Sequence, residues 1–300
     1  LLFSIGTRFN DRITGKLHEF APKAQIVHID IDTASISRNI SVDVPIVADA
    51  REALEKINEY VEECGGKKWL KQIEAWKQAH PLRMREHAGL GPKDIIDEIN
   101  RQFDEAIVVT DVGQHQMFAA QYVEITKKKQ MIMSGGLGTM GYGFPAAVGA
   151  KLGNPDKPVI MISGDGGMQM NIQEFATAVL EELPLVLCVF NNSYLGMVRQ
   201  WQKLFYGKRY SMTNLRSGAL WRRTNGEQMP EYTPDFVKLA ESYGAKGIRV
   251  TRREEIAAAL GEAKKNTKTP TLIEFIIDPE EMVYPMIQPG GTLEDMILDC

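Results

Sequence analysis

The sequence predicts an α/β fold of doubly wound parallel sheets. Apolar runs alternate with helical patterns along the whole chain, the arrangement that pairs parallel strands through crossover helices. Two of the runs, Pro158–Ser163 and Leu185–Phe190, read as buried strands. Each ends in a polar or glycine-rich turn, and open parallel sheets place ligands at that carboxyl end.

In chain order, the first block has strands near Leu1–Gly6, Gln25–Ile31 and Pro45–Ala48, then a helix Arg51–Cys64 closed by Gly65-Gly66. A polar amphipathic stretch, Lys67–His87, leads to Gly89 and Gly91-Pro92. These boundaries give a first domain over 1–64 and a linker over 65–91. The second domain, 92–280, opens with a helix carrying Ile95, Ile96, Ile99 and Phe103 on one face. A strand, Ala106–Thr110, then runs into Asp111-Val112-Gly113-Gln114-His115. Further strands at Gln130–Met133, Pro158–Ser163, Leu185–Phe190, Gly247–Val250 and Thr271–Ile277 complete one six-stranded sheet. The helix after the Gly164 turn shows Ile172, Phe175, Ala176, Val179 and Leu180 on one face, with Asn171 and Glu174 spaced as a capping box. Residues Tyr210–Pro234 read as a long irregular loop, and 281–300 as a C-terminal tail.

Composition narrows the function classes. At 300 residues and 44% hydrophobic, the chain can form two modest globular domains. A net charge of -4 gives no reason to bind nucleic acid, and Lys127-Lys128-Lys129 is too short a basic run for that purpose and reads as a solvated loop. No apolar stretch approaches the ~20 residues of a membrane span. Neither a disulfide framework nor a zinc site is expected, because Cys64, Cys188 and Cys300 are odd in number and form no CxxC. A cytoplasmic setting fits, or a plastid or other organelle in a eukaryote. The chain begins inside a strand pattern, without Met, and is expected to be a fragment of a longer protein.

The densest chemistry lies in Gly164-Asp165-Gly166-Gly167 and Asn191-Asn192. Mg²⁺ takes oxygen ligands and keeps positions for phosphate and water, so a carboxylate, an amide oxygen and a backbone carbonyl form a suitable protein share. Gly166 and Gly167 allow backbone to approach a phosphate, and the following helix aims its N-terminus at the same place. The competing reading is a dinucleotide fingerprint, Gly136-x-Gly138-x-x-Gly141, with Asp165 as the ribose acid. A ribose carboxylate needs neither Gly166-Gly167 nor paired asparagines on the next strand. The 24 residues between Gly166 and Asn191 match the GDG to NN signature of thiamine-diphosphate enzymes.

Three longer stretches make the resemblance specific: Gly113-Gln114-His115-Gln116-Met117, Ser134 through Ala147, and Leu195-Gly196-Met197-Val198-Arg199-Gln200-Trp201-Gln202. They resemble the catalytic large subunit of the acetolactate synthases (acetohydroxyacid synthases), and the similarity runs through to Pro285–Gly291. It implies a thiamine-diphosphate-binding fold preceded by part of a Rossmann-like middle domain. It also implies thiamine diphosphate contacts at Gly113, Gln114, His115, Gly138, Met140, Gly164, Asp165, Gly166, Gly167, Asn192, Gly196 and Met197, with Met140 holding the cofactor bent. Mg²⁺ would be held by the side chains of Asp165 and Asn192 and the carbonyl of Tyr194. Met197, Val198 and Trp201 would wall the substrate channel, Trp201 favouring 2-ketobutyrate. FAD, without net redox, would lie along Gly6, Arg8, Asp11, Ile13, Asp30, Ile31, Asp49 and Ala50. Read alone, Met140 is a core residue, His115 a turn residue, the Met197–Trp201 stripe a helix face and the first block a Rossmann-like turn. Three departures stand out: Asn10 where the family has an acid, a long Tyr210–Pro234 loop, and Pro289 where a small hydroxyl residue is common.

The implied reaction decarboxylates pyruvate and condenses the hydroxyethyl unit with pyruvate or 2-ketobutyrate, the first common step of branched-chain amino-acid biosynthesis. The glutamate that activates the cofactor belongs to a pyrimidine-binding domain and comes from a neighbouring subunit. The resemblance therefore implies a homodimer or homotetramer through the thiamine domains, with a possible regulatory small subunit, no catalytic residue within these 300 residues, and no turnover by them alone. Alternatives are a pyruvate oxidase or glyoxylate carboligase type of enzyme, or a cofactor-binding module without catalysis.

Overall fold

In the computed structural model, residues 1–62, 65–82, 84, 89–216 and 234–298 are described. They form two compact units, residues 1–83 with 284–300, and residues 84–283. Both sheets are wholly parallel.

The first unit has β1 (Leu2–Ile5), the short α1 (Asp11–Thr14), β2 (Ile26–Asp30), β3 (Val44–Val47), α2 (Ala50–Asn58) and α3 (Lys67–Ala79). Its strands lie in the order β1-β2-β3. The helix expected over Arg51–Cys64 ends at Asn58, well before the glycine pair. Asp49 begins it, accepting the N–H groups of Arg51 and Glu52 at 2.8 and 3.4 Å. Gly66 stands at the N-cap of α3 instead of closing α2, so part of the stretch read as a linker is helical. Residues 284–300, read as a separate tail, belong to this unit; Lys16 N–H donates to the Gly291 carbonyl at 3.1 Å.

The second unit runs α4 (Pro92–Gln102), β4 (Ile107–Thr110), α5 (Gln114–Tyr122), β5 (Gln130–Met133), α6 (Gly143–Gly153), β6 (Val159–Gly164), α7 (Asp165–Met168), α8 (Glu174–Leu180), β7 (Leu185–Asn191), α9 (Gly196–Phe205), α10 (Phe236–Ser242), β8 (Lys246–Val250), α11 (Ile256–Lys265) and β9 (Thr271–Ile276). The strand order is β5-β4-β6-β7-β9-β8. Alternation along the strands sends side chains to opposite faces. Val108, Ile160, Ile162 and Ile273 pack with Ile95, Ile99 and Phe103 of α4 and Leu260 of α11. Val109, Met161, Leu187 and Leu272 pack with Phe144 of α6, Phe175 of α8 and Phe236 of α10. Helices thus cover both faces, as the sequence predicts. After β4 the chain turns to β5 on one side and to β6 on the other, so a topological switch point lies above β4 and β6.

Three local expectations are corrected. Glu174 and Asn171 form no capping box: the chain already turns helically at Asp165, and Asn171 sits in a 3₁₀ turn donating its Nδ2 to the Gly141 carbonyl at 2.6 Å. Ala178, rather than Ala176 or Leu180, joins Phe175 in the core, and Leu180 is 80% exposed because the helix begins late and its face is rotated. Lys129 is buried, its ammonium 3.3 Å from Asn100 Oδ1, whereas Lys127 and Lys128 are exposed. Most of the Tyr210–Pro234 loop, and Cys64 and Cys300, lie outside the described residues; Cys188 is a buried free thiol. Among the described residues no helix is long and apolar enough to cross a membrane.

Phe175 is fully buried, edge-on to Phe144 at 4.9 Å and stacked on Tyr243 at 5.6 Å. Phe175→Ala is expected to cost about 3–5 kcal/mol of stability by denaturant unfolding; a loss under about 1 kcal/mol would contradict this packing.

Candidate functional site

The carboxyl ends of β4, β6 and β7 each pass into a helical turn. Their loops meet in a cleft whose empty space, counted to its open mouth, is ≈ 560 Å³. Three helical starts face it: α5 with Gly113, Gln114 and His115, α7 with Asp165, Gly166 and Gly167, and α9 with Gly196 and Met197. Free N–H groups at such starts suit an anion.

Asp111, which the sequence reading leaves without a role, fixes this arrangement. Its buried carboxylate accepts the N–H of Gly141 at 3.1 Å and of Gly143 at 2.7 Å, tying the glycine loop before α6 to the end of β4. A Cβ on Gly167 would overlap Asp111 Oδ1, and one on Gly143 would lie 2.8 Å from Asp111 Cβ. Glycine is needed there because a buried carboxylate occupies the space. His115 is held similarly, since a Cβ on either Gly113 or Gly164 would come within 2.8 Å of its ring.

Asp165 is 4% exposed. Its Oδ1 accepts the Gly166 N–H at 2.9 Å, while Oδ2 has no hydrogen-bond partner among the described residues. Burial pushes the carboxyl up to about 7, against the pull of the Gly166 and Ser193 N–H groups. A buried anion there calls for an opposite charge beside it. Asn192 Oδ1 accepts the Tyr194 N–H at 2.9 Å and keeps a second lone pair. Among the described residues, no backbone N–H donates to the Tyr194 carbonyl. Asp165, Asn192 and Tyr194 all line the cleft. No group of three or more His, Cys, Asp or Glu gathers among the described residues, so a cation here would draw on amide and carbonyl oxygens too. That donor set fits a hard ion such as Mg²⁺.

Of the predicted diphosphate contacts, Gly138 alone does not line the cleft; it sits in the exposed 135–139 loop with positive φ, behind Val112. Met140 lines it, its Cε 3.7 Å from where a Cβ of Gly166 would stand. Met197 and Val198 also line it, whereas Trp201, one turn further along α9, packs edge-on to Phe205 at 5.4 Å. Gln114 is committed inward: its Nε2 donates to Gln200 Oε1 at 2.7 Å and to the Glu281 carbonyl at 3.1 Å. Gln200 in turn binds the Val283 backbone through both ends of its amide, at 2.9 Å each. Its one legible signal is an amide within the apolar stripe of α9. Asn191 points away from the cleft, to buried Glu274, an acid inside the apolar run of β9.

In the first unit, Gly6 follows β1, Asp30 ends β2 and Asp49 follows β3, so these three share the carboxyl edge of that sheet. Asp30 Oδ1 accepts the Asp32 N–H at 2.8 Å, and Asp49 is occupied capping α2, with Ala50 as its first residue. Arg8 is exposed, Asp11 pairs with Arg12 at 2.7 Å, and Ile13 and Ile31 are exposed.

Residues 111–275 match the family described as "Thiamine pyrophosphate enzyme, C-terminal TPP binding domain", and residues 1–57 match "Thiamine pyrophosphate enzyme, central domain". The chain is 43% identical over 304 residues to the "Acetolactate synthase large subunit" of Corynebacterium glutamicum, covering 99% of this chain and 47% of that protein. It is 40% identical to the "Acetolactate synthase isozyme 3 large subunit" of Escherichia coli (99% and 51% covered) and 42% identical to the "Probable acetolactate synthase large subunit" of Methanococcus aeolicus (99% and 50%). The chain spans about half the length of these relatives.

Asp111→Asn leaves one of two buried N–H groups without an acceptor, an expected loss of about 1–3 kcal/mol. Faster hydrogen exchange at the Gly141 or Gly143 amide is the accompanying sign; unchanged exchange at both contradicts it. Burial also holds the His115 imidazole down to about 4, against the pull of the Asp111 carboxylate. Between about 4 and 6.5 the unfolded chain therefore protonates this imidazole while the folded chain does not, and stability rises with pH. Asp165 acts oppositely, keeping its proton in the folded state up to about 7, so its contribution falls with pH. Asp165→Asn removes the opposing contribution, so urea unfolding should show a more positive stability slope from pH 4 to 6.5 in that variant than in the parent. A variant slope no more positive than the parent's would contradict a carboxyl held up to about 7 at Asp165.

Proposed function

The chain belongs to the thiamine pyrophosphate enzymes, and from that premise we propose that it serves an acetolactate synthase large subunit, holding thiamine diphosphate and Mg²⁺ in the cleft above β4, β6 and β7. The observation that carries the reading is the buried, unpartnered Oδ2 of Asp165 in the same cleft as Asn192 and Tyr194. Asp165, Asn192 and the Tyr194 carbonyl hold the cation, and the N–H groups opening α5, α7 and α9 receive the diphosphate. When bound, thiamine diphosphate supplies the electron sink for decarboxylating pyruvate and the carbon nucleophile for joining it to a second 2-ketoacid, pyruvate or 2-ketobutyrate.

The chain's own residues bind, orient and shield. Met140, with Leu195 and Leu215 beside Gly166, gives the cleft an apolar wall against which a ring can be held. His115 is neutral near pH 7 and leaves the anion charge to the N–H groups and the cation. Met197 and Val198 face the mouth from α9 and meet the substrate's alkyl end, with Trp201 next along the helix. No residue here is assigned the proton relay to the cofactor; on this reading that glutamate comes from another domain and a neighbouring subunit, which calls for a dimer or tetramer, and a regulatory small subunit goes with it. FAD would lie on the first unit, where Gly6, Asp30 and Asp49 share one sheet edge and the exposed Arg8 can meet phosphate. A cytoplasmic or organellar location goes with this pathway.

Two measurements test the reading. Calorimetry of the full-length protein should show thiamine diphosphate with Mg²⁺ binding, and Asp165→Ala should remove it; equal binding by the variant sinks the cation site. Product analysis with pyruvate plus 2-ketobutyrate should yield acetolactate and acetohydroxybutyrate, and acetate alone would favour an oxidase instead. Because a cation must displace the Asp165 proton, the melting-temperature gain from Mg²⁺ should grow as pH rises toward about 7 and then level off.

A further inference from the structure

The turn that carries Asn192 and Tyr194 is strapped from behind by an ionic cluster centred on a buried glutamate. Glu274, on β9, is 0% exposed. Its Oε1 accepts from Asn191 Nδ2 at 2.7 Å, and its Oε2 accepts from Arg249 Nε of β8 at 2.8 Å. Arg249 Nη2 also donates to Asp235 Oδ1 at 2.6 Å, and Asp235 caps α10. The other end of the Asn191 amide reaches forward, its Oδ1 accepting the Ser193 N–H at 2.9 Å. Ser193 takes φ +61°, a conformation that non-glycine residues hold only when their surroundings impose it.

With one amide oriented by Glu274, the turn is bent so that Asn192 and Tyr194 face the cleft while Asn191 faces away. A flipped Asn191 would put its NH₂ against the Ser193 N–H and its carbonyl oxygen against Glu274, a repulsion at both ends. We propose that Glu274, set by Arg249, is a positioning residue for the divalent-cation site, acting through Asn191 on the Asn192–Tyr194 turn. This rests on the reading that Asp165, Asn192 and Tyr194 hold such a cation. Outer-shell partners of ligating groups typically alter metal affinity by about 10–100-fold when removed.

The test is Mn²⁺ affinity, read from the free-ion electron paramagnetic resonance signal of the full-length protein with thiamine diphosphate present. Glu274→Met with Arg249→Met removes both charges without leaving either buried alone, and deprives Asn191 Nδ2 of its acceptor. Glu274→Gln with Arg249→Met removes the same charges but keeps an acceptor for Asn191. The first pair should weaken Mn²⁺ binding by about 10–100-fold and the second should restore it to near the unmodified value. Equal affinities in the two pairs overturn the proposal, whether both match the unmodified protein or both fall. Asn191→Ala cuts the same strap from the turn side and should give a similar loss, so unmodified affinity in that variant overturns the proposal even where the methionine pair does not fold. Asn192→Ala separates the two levels: if it leaves Mn²⁺ binding intact, the cation site itself is misassigned, whereas a loss there without one in Asn191→Ala sinks only the role of Glu274.

Discussion

The two hydrogen bonds from Gly141 and Gly143 to the Asp111 carboxylate are the constraint on which the cleft depends. They pull a glycine-rich loop against the end of a central strand, and a charged group at that depth is tolerable only while both oxygens are satisfied. The loop's position sets Met140, and the space the carboxylate takes sets the side-chain-free backbone at Gly167, in the cleft-facing α7. Glycines that look from sequence like ligand contacts are therefore also packing requirements of this acid.

Low polarity governs the electrostatics of the site. Burial moves Asp165 upward and His115 downward, each toward its neutral form, so an empty cleft carries less charge than its composition suggests. On the proposed reading, a divalent cation would restore the Asp165 anion, and the diphosphate charge would offset that of the cation inside the cleft.

Sequence periodicity made the main sheet legible because its strands are short, continuous apolar runs bounded by polar turns, and Asp165 with Asn192 stood out because each ends such a run. Tertiary partners were less visible. Asp111 sits beside the motif glycines, yet nothing local says that its oxygens face residues thirty positions away. Glu274 inside an apolar run and Gln200 inside an apolar stripe were the available hints, since a lone polar group in such a place must find a buried partner. The missed boundary of α2 has a different origin: glycines advertise helix ends, but Gly66 here opens α3. Lys129 was misread because a run of like charges looks solvated throughout, whereas one member reaches Asn100.

The strand order has a consequence for synthesis. β4 leaves the ribosome before its inner neighbour β6, which comes only after the excursion through β5 and α6, and β7 and α9 come later still. Parallel neighbours cannot pair locally, so the cleft's lining is complete only after residues through Ile277 are available. On the proposed reading, a chain that stops before β9 lacks part of the lining and would hold the cofactor less well than the finished chain. Ligand occupancy would then act as a maturation mark, distinguishing finished molecules from truncated ones through the stability that binding confers.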